Sequence, residues 1–173
     1  HPDIIDFITA KDDLTQLTNF NISVMIDDKF MKAVEDDDVY DLIDPHSKKA
    51  VKTVSARYLF DKIAYHAWKT GEPGVLFVDT ANRHNSISHL GTFRATNPCA
   101  EIWLLDHEVC NLGSINLDKM VKNKQIDWKK LKETTRKAIR FLDNVIDAGE
   151  YPTPEIAEMA KKTRRIGLGV LGF

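Results

Sequence analysis

Short apolar stretches alternate along this chain with longer stretches of helical period. From Val51 to Lys69 the apolar residues recur on one face, and Gly71 follows where it would end a helix. The next apolar stretch, Val75–Val78, is continuous, which is typical of a strand that is covered on both faces. Helices that alternate with buried strands predict an α/β fold, either layered or barrel-shaped.

Two further helices follow from clear boundary signals. We predict a long helix over Trp128–Ala148, with Asp127 as its N-cap and Gly149 at its end, because its apolar residues lie on one face. A shorter helix is predicted from Pro154 to about Arg164.

The N-terminal part of the chain gives weaker signals. The acidic run Glu35–Asp38 is expected to be a solvated turn, with a cation site as the alternative. The remaining predictions are a helix over Pro2–Lys11, a strand over Phe20–Ile26, a helix capped by Asp27 or Asp28 that runs through Val34, and a polar loop through Asn82, Arg83, His84 and Asn85.

Length and charge limit the class of protein. With 173 residues, 43% of them hydrophobic and 29% charged, the chain has the composition of one globular domain. A net charge of -2 provides no long-range attraction to a nucleic-acid polymer, and no apolar run could span a membrane. The start at His1 has no Met and no signal peptide, so we expect part of a longer cytoplasmic protein, with residues 1–173 as a single partial domain.

The only two cysteines, Cys99 and Cys110, are surrounded by hydrogen-bonding residues. Cys99 lies between Asn97 and Glu101, and residues two apart in an extended segment point to the same face. These three side chains could therefore contact one ligand. Because an amide and a carboxylate are costly to bury without partners, a substrate rich in hydroxyl groups would suit them.

The residues alone allow other roles for the two thiols. Cys99 could be a nucleophile activated by a histidine base, the two cysteines could be buried structural thiols, or they could form a regulatory disulfide. A metal site is a further alternative, although no C-x-x-C motif is present to support it. Its ligands would come from His84, His89, Cys99, His107 and Cys110.

The end of the chain contains the literal pattern G-x-G-x-x-G at Gly167, Gly169 and Gly172. A dinucleotide-binding turn needs a strand before the glycines and a helix after them, and here a helical segment precedes them. We therefore predict a buried strand over Ile166–Phe173 whose glycines allow close packing. The preceding Arg164-Arg165 pair is expected to be a solvated helix end, with a phosphate or domain anchor as the alternative.

Several motifs resemble the catalytic large chain of ribonucleotide reductase, and together they cover essentially the whole sequence. The most specific are Thr96–Glu101, Cys110–Leu117 and Arg164–Val170. The residues of these motifs are most similar to those of the adenosylcobalamin-dependent class II, with the iron-dependent two-subunit class as the alternative. The flanking motifs that match in the same order are His1–Ile4, Asn19–Val24, Gly71–Gly74 and Phe141–Asp147.

The resemblance implies a fold and a set of residue roles. The chain would be the central portion of a ten-stranded α/β barrel of the ribonucleotide reductase or PFL-like type, incomplete here. Cys99 would become a thiyl radical that removes hydrogen from the ribose 3' carbon. Glu101 would act as general base on the 3' hydroxyl, and Asn97 would orient the sugar hydroxyls. Cys110 would be one half of a reducing dithiol.

The resemblance also implies partners. The substrate would be a ribonucleoside di- or triphosphate, and the radical would come from adenosylcobalamin or from a separate metal-containing small subunit. A thioredoxin-type dithiol reductant, nucleotide effectors and a homodimer are further expectations, with no metal site in the chain and no membrane. The partner cysteine of Cys110 would lie outside this sequence, so we expect no turnover from the 173 residues alone. A non-catalytic α/β nucleotide-binding module remains the alternative.

One residue departs from the family's pattern. Ala100 stands where glycine is common, and this change should be tolerated if the backbone there is not at positive φ.

Overall fold

The computed structural model describes residues 1–173, which form two compact units, His1–Leu105 and Asp106–Phe173. Each unit contains helices and one pair of parallel strands, so the chain is mixed α/β, as the alternation predicts. The strands form five two-stranded sheets, and the chain by itself contains no closed barrel.

The first unit is built around a parallel pair of strands, Ser23–Ile26 and Gly74–Phe77, with two antiparallel hairpins over residues 39–55 and 95–104. Its buried apolar core includes Ile26, Phe30, Leu59 and Ile63. The elements in chain order are α1 (Ile4–Thr9), β1 (Ser23–Ile26), α2 (Asp28–Glu35), β2 (Val39–Ile43), β3 (Ala50–Ser55), α3 (Ala56–Thr70), β4 (Gly74–Phe77), α4 (Val78–Arg83), β5 (Ala95–Thr96) and β6 (Trp103–Leu104).

Local signals define several of these boundaries as predicted. The side chain of Asp27 accepts a hydrogen bond from the backbone nitrogen of Phe30 over 2.7 Å and so caps α2. Helix α3 ends at Gly71, whose φ of 86° places it in the left-handed region. The acidic run Glu35–Asp38 is exposed at the end of α2, as expected for a solvated turn.

The predicted helix from Val51 is wrong over its first residues. Ala50–Ser55 form β3, which pairs antiparallel with β2, a strand that the sequence reading missed. The β-branched residues Val51, Thr53 and Val54 favour an extended backbone, and the partner strand outweighs the helical period. Ser55 then caps α3, because its side chain accepts a hydrogen bond from the backbone nitrogen of Tyr58 over 3.2 Å.

The region after the predicted strand Val75–Val78 also differs from expectation. The strand is β4, but it is not covered on both faces, since Phe77 is 47% exposed. Asn82 and Arg83 belong to α4 rather than to a polar loop. The side chain of Asn82 bonds the backbone nitrogen and oxygen of Phe93, at 2.8 and 3.1 Å, and this distant partner is invisible in the local pattern.

The second unit packs the long helix α5 (Trp128–Ala148) against the parallel strands β7 (Asn111–Asn116) and β10 (Ile166–Leu171). The predicted bounds of α5 are confirmed, and Asp127 caps it by accepting from the backbone nitrogen of Lys130 over 2.9 Å. The elements are β7 (Asn111–Asn116), a 3₁₀ helix (Leu117–Met120), β8 (Val121–Lys122), β9 (Gln125–Ile126), α5 (Trp128–Ala148), α6 (Pro154–Thr163) and β10 (Ile166–Leu171).

The glycine-rich end of the chain is a strand, as predicted, but only its first half is shielded. Val170 and Leu171 in β10 are 60% and 48% exposed. A Cβ placed at Gly167 would lie 2.4 Å from Cδ2 of Leu112, so the glycine leaves room for the Leu112 side chain on β7. Gly167 and Gly169 lie inside a paired strand rather than in a turn, so they do not form a dinucleotide-binding loop.

Candidate functional site

The motif around Cys99 forms the turn of the β5–β6 hairpin. Thr96 pairs with Trp103, and the backbone nitrogen of Asn97 donates to the oxygen of Ile102 over 3.3 Å. The backbone nitrogen of Ala100 donates to the carbonyl oxygen of Asn97 over 3.0 Å. These bonds close the turn and place Cys99, which is exposed, at its tip.

The segment is therefore a turn. It is not an extended strand, so the alternation of a strand does not place Asn97, Cys99 and Glu101 on one face. Asn97 is half-buried, and its side-chain oxygen accepts a hydrogen bond from the backbone nitrogen of Ile102 over 3.1 Å. Asn97 thus holds the loop through its oxygen, which leaves the amide NH₂ group as its remaining polar end. Glu101 is exposed beside the turn.

Ala100 occupies the left-handed region, with φ at 66°. We expected alanine to be tolerated here only if the backbone was not at positive φ, and the structure shows that it is. A left-handed residue with a Cβ costs about 1–2 kcal/mol relative to glycine, because the Cβ crowds the following carbonyl oxygen. The turn that carries Cys99 is therefore strained at its next residue.

A residue far away in the sequence contacts the Cys99 sulfur. Nδ2 of Asn21 lies 3.9 Å from Sγ of Cys99, and both side chains are exposed. Asn21 lies in the motif Asn19–Val24, for which the family resemblance implies no role. Only the three-dimensional fold brings it to the turn, so no spacing rule could have identified this contact.

The backbone on both sides of Asn21 is held by an ion pair. Nζ of Lys11 contacts the backbone oxygen of Phe20 and Oε2 of Glu72, while Oε1 of Glu72 accepts from the backbone nitrogen of Ile22 over 2.9 Å. The Lys11 and Glu72 side chains are only 11% and 24% exposed. The hydrogen bond from Lys11 is the main cause that holds the pKa of Glu72 below its ordinary value.

An open cavity of about 500 Å³ adjoins the same turn. Its lining includes Ala100 and the aromatic side chains of Phe77, His84, Phe93 and Trp103. The rings of Phe93 and Trp103 stack with centroids 6.5 Å apart. Space for a small molecule is therefore present beside the Cys99 loop.

Cys110 lies in the second unit, just before β7. Its thiol donates to the backbone oxygen of Asn111 over 3.5 Å and lines a cavity of about 260 Å³ together with Tyr151 and Arg165. Arg165 pairs with the buried carboxylate of Glu108 over 2.9 Å. The chain contains no disulfide bond, so both cysteines are present as thiols.

The model of the family described as ribonucleotide reductase, barrel domain, matches residues 1–173. The chain belongs to this family. The resemblance stated from the motifs is thus confirmed over the whole sequence.

Curated reductases agree with the family match. The chain is 49% identical over 175 residues to a vitamin B12-dependent ribonucleoside-diphosphate reductase of Thermoplasma acidophilum, covering 100% of this chain and 23% of that protein. It is 48% identical over 174 residues to the enzyme of the same name from Mycobacterium tuberculosis, with 100% and 25% covered. A vitamin B12-dependent ribonucleotide reductase of Streptomyces coelicolor is 32% identical over 197 residues, with 98% and 20% covered.

The first two of these relatives are far longer than this chain, which spans about a quarter of their length. The barrel-domain family, together with the mixed α/β structure, supports the predicted fold class, although the strands here do not close.

The remaining sequence candidates take other places in the structure. The expectation of a solvated helix end at Arg164-Arg165 is wrong, because Arg164 binds the carboxylates of Asp143 and Asp147 on α5, and Arg165 binds Glu108. The structure gathers no group of three or more His, Cys, Asp or Glu side chains that could hold a metal ion. None of its helices has both the length and the apolarity needed to cross a membrane.

Proposed function

We propose that this chain carries the thiyl-radical residue of a ribonucleotide reductase, and that the whole protein reduces ribonucleotides to 2'-deoxyribonucleotides. The observation that carries the proposal is the position of Cys99 at the exposed tip of a closed turn, in a chain of the barrel-domain family. An exposed thiol at a loop tip can meet both a radical source and a sugar. A buried structural thiol could do neither.

Cys99 would act through its hydrogen atom. Once the S–H hydrogen has been removed, the sulfur radical takes a hydrogen atom from the ribose 3' carbon and returns it at the end of the cycle. The hydrogen bonds that close the turn fix the position of the sulfur, and such positioning is what a reaction between two held groups requires. The open cavity beside Ala100 is the space that we assign to the substrate.

Glu101 and Asn97 would serve the sugar hydroxyl groups. The carboxylate of Glu101 takes the proton of the 3' hydroxyl as a general base. Because the oxygen of Asn97 is occupied by the backbone nitrogen of Ile102, its NH₂ group is the part left to donate to a sugar hydroxyl. The arrangement thus provides one proton acceptor and one hydrogen-bond donor near the radical residue.

Cys110 would supply half of the reducing power. Two thiols give up two electrons and two protons and close to a disulfide, while the 2' hydroxyl of the substrate leaves as water. The sequence contains only two cysteines and Cys99 has the radical role, so the second thiol of this pair must come from outside these 173 residues. A thioredoxin-type dithiol would restore the pair by exchange.

We propose adenosylcobalamin as the radical source, since the names of the relatives state dependence on vitamin B12. The exposed sulfur of Cys99 fits a group that approaches from outside the chain. When bound, this cofactor would supply the radical that removes the S–H hydrogen of Cys99. We assign none of the present residues to its binding.

The parallel strand pairs favour a larger sheet. Parallel strands are usually covered on both faces and paired on both edges, whereas β1–β4 and β7–β10 are isolated pairs with exposed residues. We propose that both units complete a ten-stranded barrel with further strands of the whole protein. The names of the Thermoplasma acidophilum and Mycobacterium tuberculosis relatives favour a ribonucleoside diphosphate as substrate, and nucleotide effectors and a homodimer belong to the same proposal.

The proposal is tested by assaying the full-length protein with a ribonucleoside diphosphate, a dithiol and adenosylcobalamin. We expect deoxyribonucleotide to form only when adenosylcobalamin is present. Ribonucleotide binding without any product, under conditions that activate a control reductase, would favour a non-catalytic binding module instead.

A further inference from the structure

The nitrogen of the Asn21 side chain points at the thiol to which the proposed function gives the radical. The Nδ2–Sγ distance of 3.9 Å is long, and sulfur is a weak acceptor, so the contact has little stabilising energy of its own. Both residues are also exposed, so packing does not force them together. What distinguishes the contact is how firmly the Asn21 backbone is held.

Three interactions fix the residues on either side of Asn21. Lys11 contacts the backbone oxygen of Phe20, and Glu72 accepts from the backbone nitrogen of Ile22 over 2.9 Å. The backbone nitrogen of Gly74 donates to the oxygen of Ile22 over 3.0 Å, where β1 and β4 begin to pair. Because Lys11 and Glu72 also form an ion pair with each other, the first two contacts are linked.

We propose that Asn21 is a positioning residue for the Cys99 thiol, an inference that rests on the proposed function. Its N–H group approaches the sulfur and occupies a lone pair on that side. The S–H hydrogen is thereby directed away from Asn21. The orientation of the thiol is thus set by a side chain outside the Cys99 turn, and the Lys11–Glu72 pair holds the backbone that carries this side chain.

Positioning the thiol, binding the substrate and packing are different roles. Two variants of Asn21 and one control variant can distinguish between them. Asn21→Asp keeps the size and shape of the side chain but replaces its only donor with an acceptor. Asn21→Ala removes the side chain altogether. Asn19→Asp is the control, because Asn19 is an exposed residue of the same type two positions earlier.

The three variants are made in the full-length reductase, and kcat and KM for ribonucleotide reduction are measured. We expect kcat to fall by between about 10-fold and 10²-fold in both Asn21 variants, because a small misplacement of a reacting group has effects of this size. KM should stay within about 2-fold of the wild-type value if positioning alone is lost. Asn19→Asp should leave both constants unchanged.

Two outcomes would overturn the inference. If Asn21→Asp retains the wild-type kcat, the N–H group is not needed. If KM rises while kcat is kept, Asn21 binds substrate rather than positioning the thiol. A Cys99→Ser variant, assayed in parallel, keeps this result separate from the proposed function: if that variant still reduces ribonucleotides, the radical role of Cys99 itself is wrong.

Discussion

The backbone nitrogen of Ala100 donates a hydrogen bond to the carbonyl oxygen of Asn97 over 3.0 Å, and this bond closes the turn that presents Cys99. The turn is obtained at a local cost, since Ala100 has a φ of 66°. Strain of this kind persists only where the surrounding structure holds it, and here the pairing of Thr96 with Trp103 anchors both ends.

Replacing Ala100 by glycine should relieve this strain. The left-handed conformation costs alanine about 1–2 kcal/mol, and glycine loses about 0.5–1 kcal/mol more backbone entropy on folding. We expect Ala100→Gly to raise the free energy of unfolding by about 0.5–1 kcal/mol, measured by urea denaturation. The control is Ala95→Gly in β5, which should lower it. Equal effects at both positions would contradict the assignment of strain to Ala100.

The Lys11–Glu72 pair should make stability depend on pH. The folded state lowers the pKa of Glu72 from its ordinary value of 4.5, so the folded state favours the carboxylate. The contribution of Glu72 is therefore complete above that value and is lost as the pH falls through the lowered pKa.

Glu72→Gln tests this dependence. Hydrogen bonds to charged groups are worth about 1.5–3 kcal/mol, so the variant should be less stable than wild type by about that amount at pH 7. The difference should shrink as the pH falls below 4.5. Glu133→Gln, at an exposed position on α5, serves as the control and should show no such difference. A stability gap for Glu72→Gln that is constant from pH 7 to acid would argue against the ion pair.

Arg164 should not be replaceable by lysine. Its guanidinium reaches Oδ1 of Asp143 over 2.8 Å and both carboxylate oxygens of Asp147 over 2.9 Å, a geometry that an ammonium group cannot reproduce. These contacts raise the pKa of Arg164 and lower that of Asp147.

We expect Arg164→Lys to lower the free energy of unfolding by a small amount, because the groups that it pairs are partly exposed to water. The cost should be smaller in 1 M NaCl, where the screening length falls to about 3 Å. Arg140→Lys, at an exposed position on α5, the helix that carries Asp143 and Asp147, should be neutral. A loss that is the same at low and high salt would indicate packing rather than charge.

The sequence predicted those parts of the fold that depend on local signals. Helix α5 begins after Asp127 and ends at Ala148, as its cap and period indicate. The strand β3 was missed because its stabilising partner, β2, is recognised only once the chain has folded. The same limit applies to the candidate site: the motif predicts roles for Cys99, Asn97 and Glu101, but not for Asn21, whose contact with Cys99 joins residues 78 positions apart in the sequence.

Substitution of Cys99 by serine tests the central claim most directly. A serine hydroxyl holds its hydrogen too strongly to act as the radical relay, while its size leaves the turn and the neighbouring cavity intact. In the full-length protein we predict that Cys99→Ser forms no detectable deoxyribonucleotide but binds the ribonucleotide substrate as tightly as wild type. Undiminished deoxyribonucleotide formation by Cys99→Ser would contradict the account.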